Sequence, residues 1–124
     1  MDKNTDFISD WFWNIIARAE KNQEKLREIL ASLKKRDLIK FQESFLDASL
    51  ELQDEPFIQY MVKSEDGVAD IAHWVVSQGK EYYLEILANP SKIPFQKDES
   101  DSENLFYIAD EVCEERFGED TGIF

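Results

Sequence analysis

Leu38-Ile39-Lys40-Phe41-Gln42-Glu43-Ser44-Phe45-Leu46-Asp47-Ala48-Ser49-Leu50-Glu51-Leu52 is the stretch whose reading decides the fold. Leu38, Phe41, Phe45, Ala48 and Leu52 recur at steps of three and four residues, the period of an α-helix with one face turned to a core. Ile39, Leu46 and Leu50 widen that face past half the circumference, which places this helix at the centre of the molecule. Upstream, Leu26, Ile29, Leu30 and Leu33 form a clean helical stripe, and Phe7, Ile8, Trp11, Phe12, Ile15, Ile16 and Ala19 form a broader one. Trp13 falls off the latter stripe; a neighbouring helix covering it is the favoured reading over an exposed partner anchor.

Downstream, Asp54-Glu55-Pro56 reads as a helix start with Pro near the first turn. Ser64 reads as the cap of the next helix, with Asp66 in its first turn. Val68, Ile71, Ala72, Val75 and Val76 give that helix its apolar face, and Gly79 is expected to end it as a left-handed residue. Tyr82, Tyr83, Ile86 and Leu87 make the following stripe, stopped by Asn89-Pro90. Residues 91–101 are a polar loop in which Pro94 and Phe95 touch the body. Ser100 and Glu103 have the spacing of a capping box before a last helix. Leu105, Ile108, Ala109 and Val112 form its buried side, widened by Phe106, Cys113 and Phe117, and Gly118 ends it. The expected architecture is all-α, a single compact bundle of six or seven helices spanning residues 1–124.

Composition agrees. The chain has 124 residues, 43% of them hydrophobic and 13% aromatic, enough for a core, and disordered chains are poor in aromatics. Only 4 Gly and 3 Pro are present, too few for the many turns of an all-β sandwich or barrel. The single cysteine, Cys113, rules out an internal disulfide and fits a reducing compartment. The amino terminus lacks the features of a secretory signal, and no apolar stretch nears the roughly 18 residues that span a bilayer. A soluble cytoplasmic protein is expected.

Charge points to a class of partner. From Lys97 to Phe124 there are ten Asp or Glu against Lys97 and Arg116 alone, so this segment supplies more than half of the formal net charge of −13. Such a chain repels nucleic-acid phosphate and anionic lipid, so neither nucleic acid nor membrane is an expected partner. On a wheel of the last helix, Glu103, Asp110, Glu111, Glu114 and Glu115 lie opposite Leu105 and Ala109, with Tyr107 among them and Arg116 the sole base. Like charges three and four positions apart repel. A basic partner relieves that repulsion and gains steered association. A solvated face that only keeps the protein soluble is the plain alternative. The near-absence of bases favours an interaction surface, with Tyr107, Asp110, Glu111, Glu114 and Glu115 as contacts and Glu119 and Asp120 at its margin.

Other chemistry is thin. His73 has Asp70 three residues before it, but one Asp-x-x-His falls short of a di-iron site, and zinc would have to lean on carboxylates. A helix-surface or a buried, hydrogen-bonded histidine is expected, and no metal or cofactor. Cys113 lies on the apolar side in acidic surroundings, which disfavours a thiolate nucleophile. No nucleophile elbow, phosphate loop or dinucleotide fingerprint occurs, so an enzyme is not expected. Lys34-Lys35-Arg36, with Lys40 a turn on, is the one basic cluster. It is expected to complement the C-terminal dipole of the second helix. It also makes the molecule bipolar, so a homodimer stays open.

Two stretches carry a family resemblance. Phe12-Trp13-Asn14-Ile15-Ile16, and His73-Trp74-Val75-Val76-Ser77-Gln78-Gly79-Lys80-Glu81-Tyr82-Tyr83 followed by Asn89-Pro90, resemble a bacterial family of domains of unknown function, DUF4240. The resemblance covers Phe7 to Ile93 and departs from the family pattern at Lys63-Ser64-Glu65-Asp66-Gly67. It implies a helical fold and no activity. Physically, Trp74 and Tyr82 or Tyr83 pack about the Gly79 corner, with Gln78, Lys80 and Glu81 as a polar cluster. The leading expectation is a cytoplasmic immunity protein or antitoxin that neutralises a basic, nuclease-like toxin. The alternative is a small-ligand-binding regulatory domain with a pocket around Trp74, Gln78 and Tyr82.

Overall fold

The computed structural model describes residues 8–97 and 101–123. Among these residues are six α-helices and no strand: α1 Asp10–Ala19, α2 Gln23–Leu30, α3 Lys35–Glu51, α4 Glu65–Ser77, α5 Lys80–Ala88 and α6 Ile108–Phe117. None is long and apolar enough to cross a membrane. Phe7 and Ser100, both used in the sequence reading, lie outside the described residues.

α3 is central, packing on α1, α4 and α6. Leu38, Phe41, Phe45, Ala48 and Leu52 are all fully buried. Phe45 meets the rings of Phe12 at 5.7 Å, Phe41 at 6.2 Å, His73 at 6.3 Å and Phe106 at 5.2 Å, offset or edge-on as ring quadrupoles prefer. Leu50 does not widen the buried face as expected; it is 51% exposed. Trp13 is covered, as expected, with its ring 5.1 Å from that of Tyr83.

Buried hydrogen bonds join the helices. The Tyr83 hydroxyl donates to the Ala48 carbonyl at 2.8 Å, tying α5 to α3. Burial, with Glu51 nearby, pushes its pKa up, so the phenol stays protonated. Gln42, on α3, donates from Nε2 to the Phe106 carbonyl at 2.8 Å. Ser77 donates to the His73 carbonyl at 2.7 Å and accepts from Leu105 N–H at 2.9 Å. These bonds hold the segment before α6 against α3 and α4.

Ser64 caps α4, accepting from Gly67 N–H at 3.0 Å. Asp54-Glu55-Pro56 opens only the short 3₁₀ turn Ile58–Tyr60, not an α-helix. Gly79 has φ 111° and ψ 172°, extended backbone with positive φ rather than a left-handed helical residue, and glycine alone adopts it readily. No helix begins at Glu103; α6 starts at Ile108, and the Ser100 half of the expected capping box lies outside the described residues. Residues 101–107 fold instead into turns, with Asp101 Oδ1 accepting from Glu103 N–H at 2.8 Å and Asn104 Oδ1 from Phe106 N–H at 3.1 Å. Such side-chain acceptors compete with helix for the same backbone donors.

Candidate functional site

The expected acidic face of α6 divides into three parts. Asp110 turns inward and is 8% exposed. Its Oδ1 accepts from Thr121 N–H at 3.2 Å and from the Thr121 hydroxyl, which folds the residues after Gly118 back onto α6. The expectation of Asp110 as a partner contact is therefore corrected: it is an internal fastener. Burial raises its pKa above the ordinary carboxylate range, against the lowering by the Thr121 hydrogen bonds.

The second part is partly neutralised, two bases against three carboxylates. Arg27, on α2, donates from Nη2 to Glu111 at 2.5 Å and from Nη1 to Glu115 at 3.3 Å, across 84 and 88 residues of sequence. Lys35 pairs with Glu119. The expectation that Arg116 alone opposes these acids fails because α2 and the start of α3 lie alongside α6. Arg116 itself donates to the carbonyls of Leu30, the last residue of α2, and of Leu33 beyond it. It takes the role expected of the Lys34-Lys35-Arg36 cluster, which sits instead at the N-terminal end of α3. The third part stays in water: Glu114 and Asp120 are exposed and Tyr107 is 50% exposed. No base among the described residues pairs with Glu114 or Asp120.

A stronger acidic surface lies on α3, where the sequence reading placed none. Glu43, Asp47 and Leu50 share an arc of about 60° on the outer side, and Asp54 continues it past the helix end. All four are exposed, and half-buried Glu51 borders them. None of these carboxylates has an ion-pair partner among the described residues, and the last turn of α3 contains no base. The spacing i, i+4, i+7, i+11 was available in the sequence, but Leu50 had been assigned to the buried side. The C-terminal residues extend this surface: Ile123 lines a cleft of about 360 Å³ with Lys40, Glu43, Leu46 and Asp47.

The Thr121 clasp yields a first expectation. Asp110→Ala removes the acceptor for two donors and costs about 1–3 kcal/mol. Asp110→Asn keeps an acceptor oxygen and removes a charge whose burial is unfavourable. Because the folded pKa is raised, Asp110 contributes least once pH has risen through that raised value. At pH 7 the Asn variant is therefore expected to equal or exceed the parent protein in urea midpoint, while the Ala variant falls below it.

The alternative ligand site is not assembled as expected. Trp74 and Tyr82 do meet, edge to face at 5.8 Å and 88°. Gln78 points elsewhere, donating to Glu103 at 3.3 Å, and lines a separate cleft of about 450 Å³ with Asp10, Trp13, Gly79 and Lys80. Lys80 pairs with Asp10 at 2.9 Å, and Gln78, Lys80 and Glu81 line that one cleft around Gly79, as expected of a polar cluster there. The face of Trp74 is instead covered by the Lys97 ammonium, 3.8 Å from the ring centroid.

His73 is 5% exposed and stacks on Phe106 at 3.6 Å and 5°. Its Nδ1 is buried without a partner, and burial lowers its pKa to about 4. Cys113 is buried, which raises the pKa of its thiol. Among the described residues no three His, Cys, Asp or Glu side chains gather as metal ligands.

Comparison with known proteins adds one finding. The family model described as protein of unknown function (DUF4240) matches residues 8–115. No curated protein and no solved structure matches the chain.

Proposed function

The chain belongs to the DUF4240 family, which has no assigned activity, and on that premise we propose that it is an acidic protein-binding inhibitor, an immunity protein or antitoxin directed at a basic, nuclease-like toxin. The observation that supports this reading is the unneutralised carboxylate stripe of α3, Glu43, Asp47, Glu51 and Asp54, with exposed Leu50 among the acids. Two features make the stripe costly to the isolated protein. Neighbouring carboxylates a helical turn apart repel by a few tenths of a kcal/mol per pair. Negative charge at the C-terminal end of α3 also opposes the helix dipole.

A cationic partner removes both costs. A nuclease has a cleft built for phosphates, and carboxylates about 5–6 Å apart along a helix face take their place. Leu50 then supplies the desolvated apolar contact that an interface needs within a charged rim. Glu114 and Asp120 add exposed carboxylates outside α3, and Tyr107 adds a half-exposed ring. Glu111, Glu115 and Glu119 contribute less, since Arg27 and Lys35 already answer them.

The test is affinity capture from the native host with the intact protein and with Glu43→Lys/Asp47→Lys. The intact protein is expected to retain a basic protein at low salt and release it at high salt, and the double variant to lose it. A control, Glu28→Lys/Glu81→Lys, makes the same charge change away from α3 and is expected to keep the partner. Equal capture by both variants would remove the α3 stripe from the recognition surface.

A further inference from the structure

We propose that the Trp74–Tyr82 corner is a binding site for an alkylammonium group, and that Lys97 occupies it as an internal stand-in for that ligand. The ligand class follows from what the corner already holds. A Lys ammonium sits 3.8 Å from the Trp74 ring centroid, well within the distance at which an indole face attracts a cation. Tyr82 stands edge-on to the same indole, 5.8 Å away. Two aromatic rings at right angles with a cation against one of them are the elements of an aromatic cage, the arrangement that recognises quaternary ammonium and methylated lysine.

One carboxylate acts on the corner. Burial and then Glu85, one turn after Tyr82, raise the pKa of the tyrosine, and Glu85 is itself paired with Lys92 at 3.0 Å.

Lys97 has the features of a replaceable occupant. It makes no ion pair with any described carboxylate, and among the described residues the Trp74 ring is what its ammonium meets. The segment that brings it is fixed two residues earlier, where Val62 N–H donates to the Phe95 carbonyl at 2.8 Å, and Phe95 itself is 62% exposed. Lys97 lies outside every helix, so withdrawing it breaks none. The indole N–H of Trp74 is buried without an acceptor and lies in the plane of the ring, whose face carries Lys97.

The site stands independently of the α3 surface, and its test uses no protein partner. Choline, Nα-acetyl-lysine methylamide and the neutral choline isostere 3,3-dimethylbutanol are titrated into the parent protein and Lys97→Ala. Binding is followed by the Trp74 indole N–H resonance, assigned through Trp74→Phe. Lys97→Ala is expected to bind at least one of the two cations saturably, about tenfold more tightly than the parent protein, and to ignore the neutral isostere. Tighter binding of choline assigns a free quaternary amine as the source; tighter binding of the lysine amide assigns a protein side chain. Lys97→Arg keeps the cation and is expected to behave as the parent. The proposal is overturned if neither cation produces a saturable shift in Lys97→Ala, or if the neutral isostere shifts the resonance equally.

Discussion

Phe45→Ala is expected to cost about 3–5 kcal/mol, the usual range for emptying a buried aromatic site. Phe45 is fully buried at the centre of α3 and touches rings contributed by α1, α3, α4 and the segment before α6. Its removal loses the transfer free energy of the ring and leaves a space that four aromatic neighbours on separate elements cannot close together. Domains of this size are stable by about 5–15 kcal/mol, so a large part of the total disappears. Urea unfolding measures it: the midpoint falls sharply with the slope retained. Leu50→Ala, on the same helix but 51% exposed, is the comparison and is expected to change stability by no more than about 0.5 kcal/mol. Similar losses at both positions would mean that α3 is not oriented as described.

Acidification from pH 7 to pH 5 is expected to cost about 2 kcal/mol through His73 alone. In the unfolded chain His73 takes a proton near its usual pKa of 6.5, whereas burial holds it neutral in the folded protein down to about 4. Between those values the unfolded state binds more protons, so stability is full above pH 6.5 and drains away as pH falls towards 4. The surroundings explain the shift. The imidazole lies flat on Phe106, has Phe45 and Tyr107 edge-on, and keeps Nδ1 without a partner. A charged imidazolium there would lose its water, and that burial is what lowers the pKa. His73→Phe preserves the stack and cannot titrate. Urea denaturation at both pH values is expected to show a loss about 2 kcal/mol smaller in that variant than in the parent. Equal pH dependence in the two would exclude His73 as its source.

Helix positions were legible wherever a stripe met a buried neighbour. Leu38, Phe41, Phe45, Ala48 and Leu52 read as core and are core, and Ser64 read as a cap and caps. Failures came where local chemistry had two outlets. Asp101 and Asn104 bind backbone N–H groups close by in sequence, and these turns displace the helix start that Glu103 suggested. Leu50 was misplaced because periodicity measures apolar spacing, not how wide a face the neighbours cover.

The candidate site was less legible, since its charge balance depends on pairs far apart in sequence. Nothing near Glu111 or Glu115 announces Arg27, which reaches both from another helix. Nothing around Asp110 announces Thr121 until the chain reverses after Gly118, a left-handed residue with φ 79°. A helical wheel treats every carboxylate on a face as equivalent. The fold separates them into a fastener, an ion-paired group and an open surface.

The most direct measurement of α3-mediated recognition is the association rate with the captured basic partner as a function of ionic strength. Charges in water act over about 8 Å at physiological salt, so the rate for the intact protein is expected to fall at least about tenfold from low to high salt. Glu43→Lys/Asp47→Lys is expected to lower the low-salt rate and flatten the dependence. A rate indifferent to salt, or an unchanged slope in the double variant, would contradict recognition through the open carboxylates of α3.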